Sequence, residues 1–214
     1  MNSNFTYIHS SPQISDENKK YPALFLLHGM GSNENDLVGL VSNLKEKCHI
    51  FSIRGPISQP PGYAFFTIEG LGKPHRAVFD QVVQDLQSFI EEITNNHSID
   101  SNKLFLLGFS QGAILTQSLA LVMGDKIKGI VALSGYIPSF VKDEYAHQPV
   151  NKLNAFISHG EFDNMLPFEW GTASRDYFLE KGASVTFKNY PVSHGVAPEN
   201  QRDLVTFLDE LLVK

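Results

Sequence analysis

Short apolar runs alternate along this chain with longer stretches whose apolar residues recur every three or four positions, and that alternation constrains the fold more than any other feature. Strands buried on both faces read as continuous apolar runs, whereas helices that cover a sheet show one apolar stripe. An α/β fold is therefore predicted, with a mostly parallel central sheet and helices on both faces. Strands are expected at Ala23 to Leu27, Cys48 to Ile53, Leu104 to Phe109, Gly129 to Leu133, Ala155 to Ser158 and Val185 to Tyr190, with another near Phe5 to His9. Helical spacing is clearest from Ala77 to Asn96, where Val78, Val82, Leu86, Phe89, Ile90 and Ile93 share one face. A second helix starts at Pro198, a residue suited to the first helical position, and turns Leu204, Phe207, Leu208, Leu211 and Leu212 inward. Arg54 to Pro74, rich in glycine and proline, reads as one long loop.

The chain has 214 residues, 42% hydrophobic and 19% charged, without repeats, low-complexity tracts or linkers, which fits a single domain over residues 1–214. Its formal charge of −6 and scattered basic residues argue against a nucleic-acid partner. The one cysteine, Cys48, lies in the apolar run "CHIFSI" and reads as a small core residue, in keeping with a reducing compartment. "MNSNFTYIHSSPQ" carries no secretory signal, and no run of 18 apolar residues is present to span a membrane, so a cytoplasmic location is expected. The histidines show no metal-ligand spacing such as H-E-x-x-H, so no metal is expected.

Between a strand run and a helix run lies "LLGFSQGA", in which Ser110 is flanked at Gly108 and Gly112. This matches G-x-S-x-G, the nucleophile elbow, whose glycines let strand and helix backbones approach too closely for a side chain. In a parallel sheet ligands meet the protein beyond the carboxyl ends of the strands, and Ser110 falls just past such an end. A serine hydroxyl is a weak nucleophile near neutral pH, so a base and an orienting acid must follow. Two later loops, each after an expected strand, offer them: Asp163 in "HGEFDNMLP", with Glu161 as the reserve acid, and His194 in "PVSHGVAPE". Backbone donors for a tetrahedral oxyanion are expected from the N–H groups of Gln111 and of Met30, the latter between Gly29 and Gly31 in "LLHGMGSNENDL". That run does not complete G-x-G-x-x-G, and no Walker lysine follows, which argues against a phosphate cradle.

On the motifs "LLHGMGSNENDL", "LLGFSQGA", "LSGYIP", "HGEFDNMLP" and "SHG", which span nearly the whole chain, the sequence resembles the phospholipase/carboxylesterase branch of the α/β-hydrolases, a group containing small bacterial carboxylesterases and acyl-protein thioesterases. The resemblance implies an α/β-hydrolase fold without a large cap domain, a catalytic triad of Ser110, Asp163 and His194, and an oxyanion hole from Met30 and Gln111. It further implies hydrolysis of carboxylic esters or thioesters with no cofactor, often in a homodimer. Residue 113 is alanine where many members carry glycine, and "PPGYAFF" differs from the tryptophan-bearing loop of the thioesterases.

Tyr63, Phe65 and Phe66 in the long loop, and Phe140 after "SGYIPS", are candidates to wall an apolar acyl site, the alternative being that they pack beneath their own loops. His28 and His159 each precede a glycine at a strand end and are candidates either to line the site or to hold its loops. The Leu133 to Ala155 connection is too short for an inserted lid, so an open site for short or accessible acyl esters is expected. Two other classes are compatible with the same residues: a binding protein that kept the pocket without the chemistry, and a peptidase or acyltransferase that uses the same triad.

Overall fold

The structure, a computed structural model, describes residues 5–12 and 19–213. In chain order it forms β1 (Tyr7–Ser10), β2 (Tyr21–Leu27), β3 (His49–Ile53), β4 (Ile57–Gln59), β5 (Gly62–Ala64), β6 (Ile68–Gly70), β7 (Lys73–Pro74), α1 (Arg76–Asn96), β8 (Ile99–Phe109), α2 (Gln111–Met123), β9 (Ile127–Leu133), α3 (Ser139–Glu144), β10 (Asn154–Gly160), α4 (Phe168–Glu180), β11 (Ser184–Tyr190) and α5 (Pro198–Val213). The central sheet runs in the order β1-β3-β2-β8-β9-β10-β11, with β1 antiparallel to β3 and the other pairs parallel.

Alternation along the strands builds a core on each face. Phe25, Leu27, Leu104 and Leu106 face α1, α2 and α4, while Leu24, Leu26, Phe105 and Leu107 face α5 and the segment at residues 38–44. Every residue of β2 is buried, as a central parallel strand requires. Helix α2, directly after Ser110, is buried on all sides apart from Val122. No helix among the described residues is long and apolar enough to cross a membrane.

The expected strands are present with shifted ends. Strand β8 starts at Ile99 because pairing with β2 begins there, although the polar stretch Asp100 to Lys103 hides this from an apolar-run reading. Arg54 to Pro74 is not one irregular loop: it contains the hairpins β4–β5 and β6–β7, whose strands of two or three residues are too short to show alternation. Helix α4 also lacked a sequence signal, since its buried face is made of Gly171, Ser174 and Phe178, small residues that leave no apolar stripe.

At the sheet edge His9 of β1 stacks on Phe51 at 4.2 Å, shares a hydrogen bond with His49 at 3.1 Å and lies edge-on to His97 at 5.0 Å. Burial, then the neighbouring His97 and His49, push its pKa down to about 4, and burial likewise lowers that of His49. Below the ordinary histidine pKa the unfolded chain takes up a proton that the folded one refuses, so stability falls as pH drops from 6.5 toward 4. Each pKa unit is worth about 1.4 kcal/mol, and solvent around the exposed His9 screens this to about 1 kcal/mol in all. Melting temperatures at pH 7 and pH 4.5 are expected to differ less for His9→Gln than for the wild type, and an equal drop in both would refute the assignment.

Candidate active site

Strand β8 ends at Phe109 and α2 begins at Gln111, so Ser110 alone makes the bend. It does so at φ 53° and ψ −114°, left-handed backbone that costs a serine about 1–3 kcal/mol. Hydrogen bonds fix it there: the Ser110 N–H donates to Leu133 O (2.9 Å), and the Ile114 N–H donates to Ser110 O (3.1 Å). The flanking glycines are sterically required, because a Cβ on Gly108 would sit 2.2 Å from Gly112 O, and one on Gly112 would sit 1.8 Å from Leu27 O.

Because β2, β8, β10 and β11 are parallel, the loops that follow them emerge at one end of the sheet and carry Met30, Ser110, Asp163 and His194 there. His194 Nε2 lies 2.8 Å from Ser110 Oγ, and His194 Nδ1 lies 2.7 Å from Asp163 Oδ2. The Asp163 carboxylate is fully buried yet well satisfied: its Oδ1 accepts the N–H groups of Met165 and Leu166, each at 2.9 Å. Burial raises its pKa, but the two amides and His194 together outweigh burial and hold it below the usual aspartate value. An ionised Asp163 accepts from His194 Nδ1–H, which leaves Nε2 facing the serine as an acceptor.

Glu161 does not compete for this position, since its carboxylate takes the Asn189 amide at 2.5 Å. Instead, a second histidine reaches Asp163: His159 Nε2 lies 3.0 Å from Leu166 O and 3.3 Å from Asp163 Oδ2, the oxygen that His194 also uses. His28 spans two loops, with Nδ1 on Gly29 O at 2.7 Å and Nε2 accepting the Gly55 N–H at 2.9 Å, and burial lowers its pKa. Both histidines hold loops of the site.

The loop after β2 is tied down on each side of Met30. Gly31 N–H donates to Tyr63 O at 2.8 Å and Ser32 N–H to Gly29 O at 3.2 Å, whereas the Met30 N–H has no acceptor among the described residues. Gln111, first residue of α2, likewise has a backbone N–H outside the helical ladder. Its side chain accepts Phe65 N–H (2.6 Å) and donates to Phe66 O (2.7 Å), joining the helix after Ser110 to the long loop. Arg54 adds a further tie, bonding Glu34 through Nε and an Nη2 (2.6 and 2.5 Å) while its guanidinium covers the Tyr63 ring at 4.5 Å. That bond to Arg54 is the main cause of the lowered Glu34 pKa.

Beside Ser110 and His194 lies a cavity of about 140 Å³, lined mainly by apolar groups that include Phe66, Ile114, Tyr136 and Leu166. Met30, Ile68, Leu71 and Met165 form its exposed rim. Of the four aromatic residues expected at an acyl site, the structure brings only Phe66 to this cavity. Tyr63 is taken up by Arg54; Phe65 is fully buried against His28, with ring centroids 4.8 Å apart; Phe140 packs edge-on to Phe79 at 5.2 Å with Arg76 over its face. Each packs against another segment instead, where contact for an aromatic ring outweighs exposure at a rim. Tyr136, three residues past the end of β9 in "LSGYIP", was signalled only by its position after a strand. A larger depression of about 590 Å³, among Glu91, Ser101 and Lys126, touches the amino-terminal half of β8 and none of these groups.

Comparison with known proteins agrees with this architecture. Residues 11–212 match the family model described as Phospholipase/Carboxylesterase. The acyl-protein thioesterase 1 of Debaryomyces hansenii is 29% identical, with 90% of this chain and 92% of that one covered, and the protein of the same name from Candida albicans is 28% identical, covering 90% and 93%. Among solved structures, the Bacillus cereus carboxylesterase superposes with a TM-score of 0.86 at 21% identity, covering 98% of this chain and 96% of that one; a carboxylesterase from Mesorhizobium loti gives 0.80 at 21%, covering 94% and 99%. With nearly all of its residues matched by that model, this chain belongs to the phospholipase/carboxylesterase family and is a hydrolase of the α/β-hydrolase fold.

Proposed function

We propose that this protein hydrolyses carboxylic esters or thioesters through an acyl-enzyme on Ser110, with His194 as the base, Asp163 as its orienting carboxylate and the amides of Met30 and Gln111 as the oxyanion hole. One observation carries the proposal: His194 bridges Ser110 Oγ at 2.8 Å and Asp163 Oδ2 at 2.7 Å, although the three residues come from separate loops.

As the Ser110 hydroxyl attacks the substrate carbonyl carbon, His194 Nε2 takes its proton, and Asp163 stabilises the imidazolium by accepting from Nδ1–H. The carbonyl oxygen becomes an anion, for which the two backbone N–H groups supply positive ends without reorganisation. Collapse expels the alcohol or thiol, protonated by His194, and leaves the acyl group on Ser110 Oγ. Water then repeats the sequence, giving its proton to His194, and release of the carboxylic acid restores the serine. The left-handed backbone at Ser110 holds the hydroxyl clear of the sheet end for the attack. The fungal relatives carry the name thioesterase, and an oxygen ester and a thioester present the same carbonyl to this site.

The test is intact-mass analysis after treatment with a fluorophosphonate, which reacts with activated serines. One adduct per chain is expected on the wild type and none on Ser110→Ala. Lack of any adduct, or its persistence in the variant, would overturn the proposal and favour a binding protein built on the same fold.

A further inference from the structure

We propose that the Tyr136 ring limits the acyl chain this site accepts to about six carbons, as the partition between the cavity at Ser110 and a second cavity behind it. The inference rests on Ser110 being the acylated residue. Gly72 and Tyr136 line both the 140 Å³ cavity beside Ser110 and a separate cavity of about 240 Å³ that includes Ser139, Lys142, Trp170 and Ala173. Residues that face two cavities at once form the wall between them. Here the wall consists of one aromatic ring and the turn of the β6–β7 hairpin.

The wall is braced from behind. The Tyr136 ring, 7% exposed, meets Trp170 of α4 edge-on with centroids 4.6 Å apart. Gly72 lies on the same indole: at φ +73° it adopts a conformation suited to glycine, and a Cβ there would come within 2.7 Å of Trp170 Cη2. One tryptophan thus supports both halves of the partition, and neither half can swing back while Trp170 is in place.

Size and chemistry both change across it. A dry apolar cavity of about 150 Å³ takes up one benzene, so the first cavity, of about 140 Å³, has room for about six carbons. Its inner lining is apolar, from Phe66, Ile114 and Leu166, whereas the second cavity counts Lys142 and Ser139 among its lining residues. An acyl chain longer than the first cavity must either stay in water or displace Tyr136 from Trp170. With the ring removed the two spaces join and the chain can run on toward Lys142.

The experiment compares kcat/KM for p-nitrophenyl esters from acetate to dodecanoate. For the wild type a maximum at butyrate or hexanoate is expected, with a fall of at least about 10-fold by octanoate, the low end of what one misplaced methylene costs in an apolar pocket. Tyr136→Ala is expected to raise the octanoate-to-butyrate ratio at least about 10-fold, and Tyr136→Phe, which keeps the ring, to retain the wild-type ratio. Trp170→Leu, which removes the brace, is expected to move the ratio in the same direction as Tyr136→Ala and serves if that variant does not fold. Decanoate or dodecanoate cleaved as fast as butyrate by the wild type would overturn the inference, as would a ratio unchanged in folded Tyr136→Ala. A flat length profile in an enzyme that still forms the fluorophosphonate adduct defeats this inference alone; absence of both adduct and hydrolysis defeats the assignment of Ser110 and this inference with it.

Discussion

Ser110→Ala is expected to lower kcat for ester hydrolysis by about a million-fold and to leave the fold intact. On the proposed mechanism the loss is that large because the Ser110 hydroxyl carries the acyl group; without it His194, still held by Asp163, has no serine proton to take. What remains is binding and the two backbone amides, which in comparable sites keep a rate about 10³ to 10⁴ times that in water. The fold should survive for a local reason. Alanine at φ 53° bears the same left-handed backbone cost as serine, and the bonds that hold the bend, Ser110 N–H to Leu133 O and Ile114 N–H to Ser110 O, involve only main chain. The side-chain bond to His194 is worth about 1 kcal/mol, a small part of a domain's stability. Turnover measured beside circular dichroism and a urea melt checks both halves. Activity above one per cent of wild type, with protein of proven purity, would mean that Ser110 is not the nucleophile.

Gly112→Ala, only two residues away, should do the opposite and destroy the fold. Its added Cβ would lie 1.8 Å from Leu27 O, 2.4 Å from Leu27 C and 2.9 Å from His28 O. None of these atoms can move aside, because Leu27 is the last residue of a fully buried strand that is paired with β3 on one side and β8 on the other. Relief would require α2 to lift off the sheet, and α2 is buried along almost its whole length. A cost above about 4 kcal/mol is expected, an exceptional figure for one methyl group. Gly39→Ala, with nothing within 4 Å of its Cβ, should lie within about 0.5 kcal/mol of wild type. Chemical denaturation of the two variants side by side measures the contrast, and a stable Gly112→Ala would show that strand and helix do not approach at the elbow as described.

These two expectations differ in what each could draw from the sequence. The need for glycine at 108 and 112 was visible in G-x-S-x-G, because backbone proximity at an elbow leaves a local signature. The same holds for the strands, whose apolar runs persist in every parallel pairing of β2, β8, β9 and β10. Where the signature is absent, sequence reading was blind. Helix α4 buries Gly171 and Ser174 and so shows no apolar stripe; the hairpins between Arg54 and Pro74 are too short for alternation; the polar start of β8 does not look like a strand at all.

Sequence by itself determined the layered parallel architecture, the bend at Ser110 and the three loops from which Ser110, Asp163 and His194 come, since residue periodicity and the missing Cβ of glycine act over a few neighbouring positions. Only the tertiary structure decided which side chains face the cavity. Phe65 went to His28, Tyr63 to Arg54 and Phe140 to Phe79 and Arg76, while Tyr136, backed by Trp170, came to stand beside Ser110. The reason is physical: an aromatic ring in a loop packs against whichever distant segment leaves a gap of its size, and that gap exists only once the whole sheet has assembled.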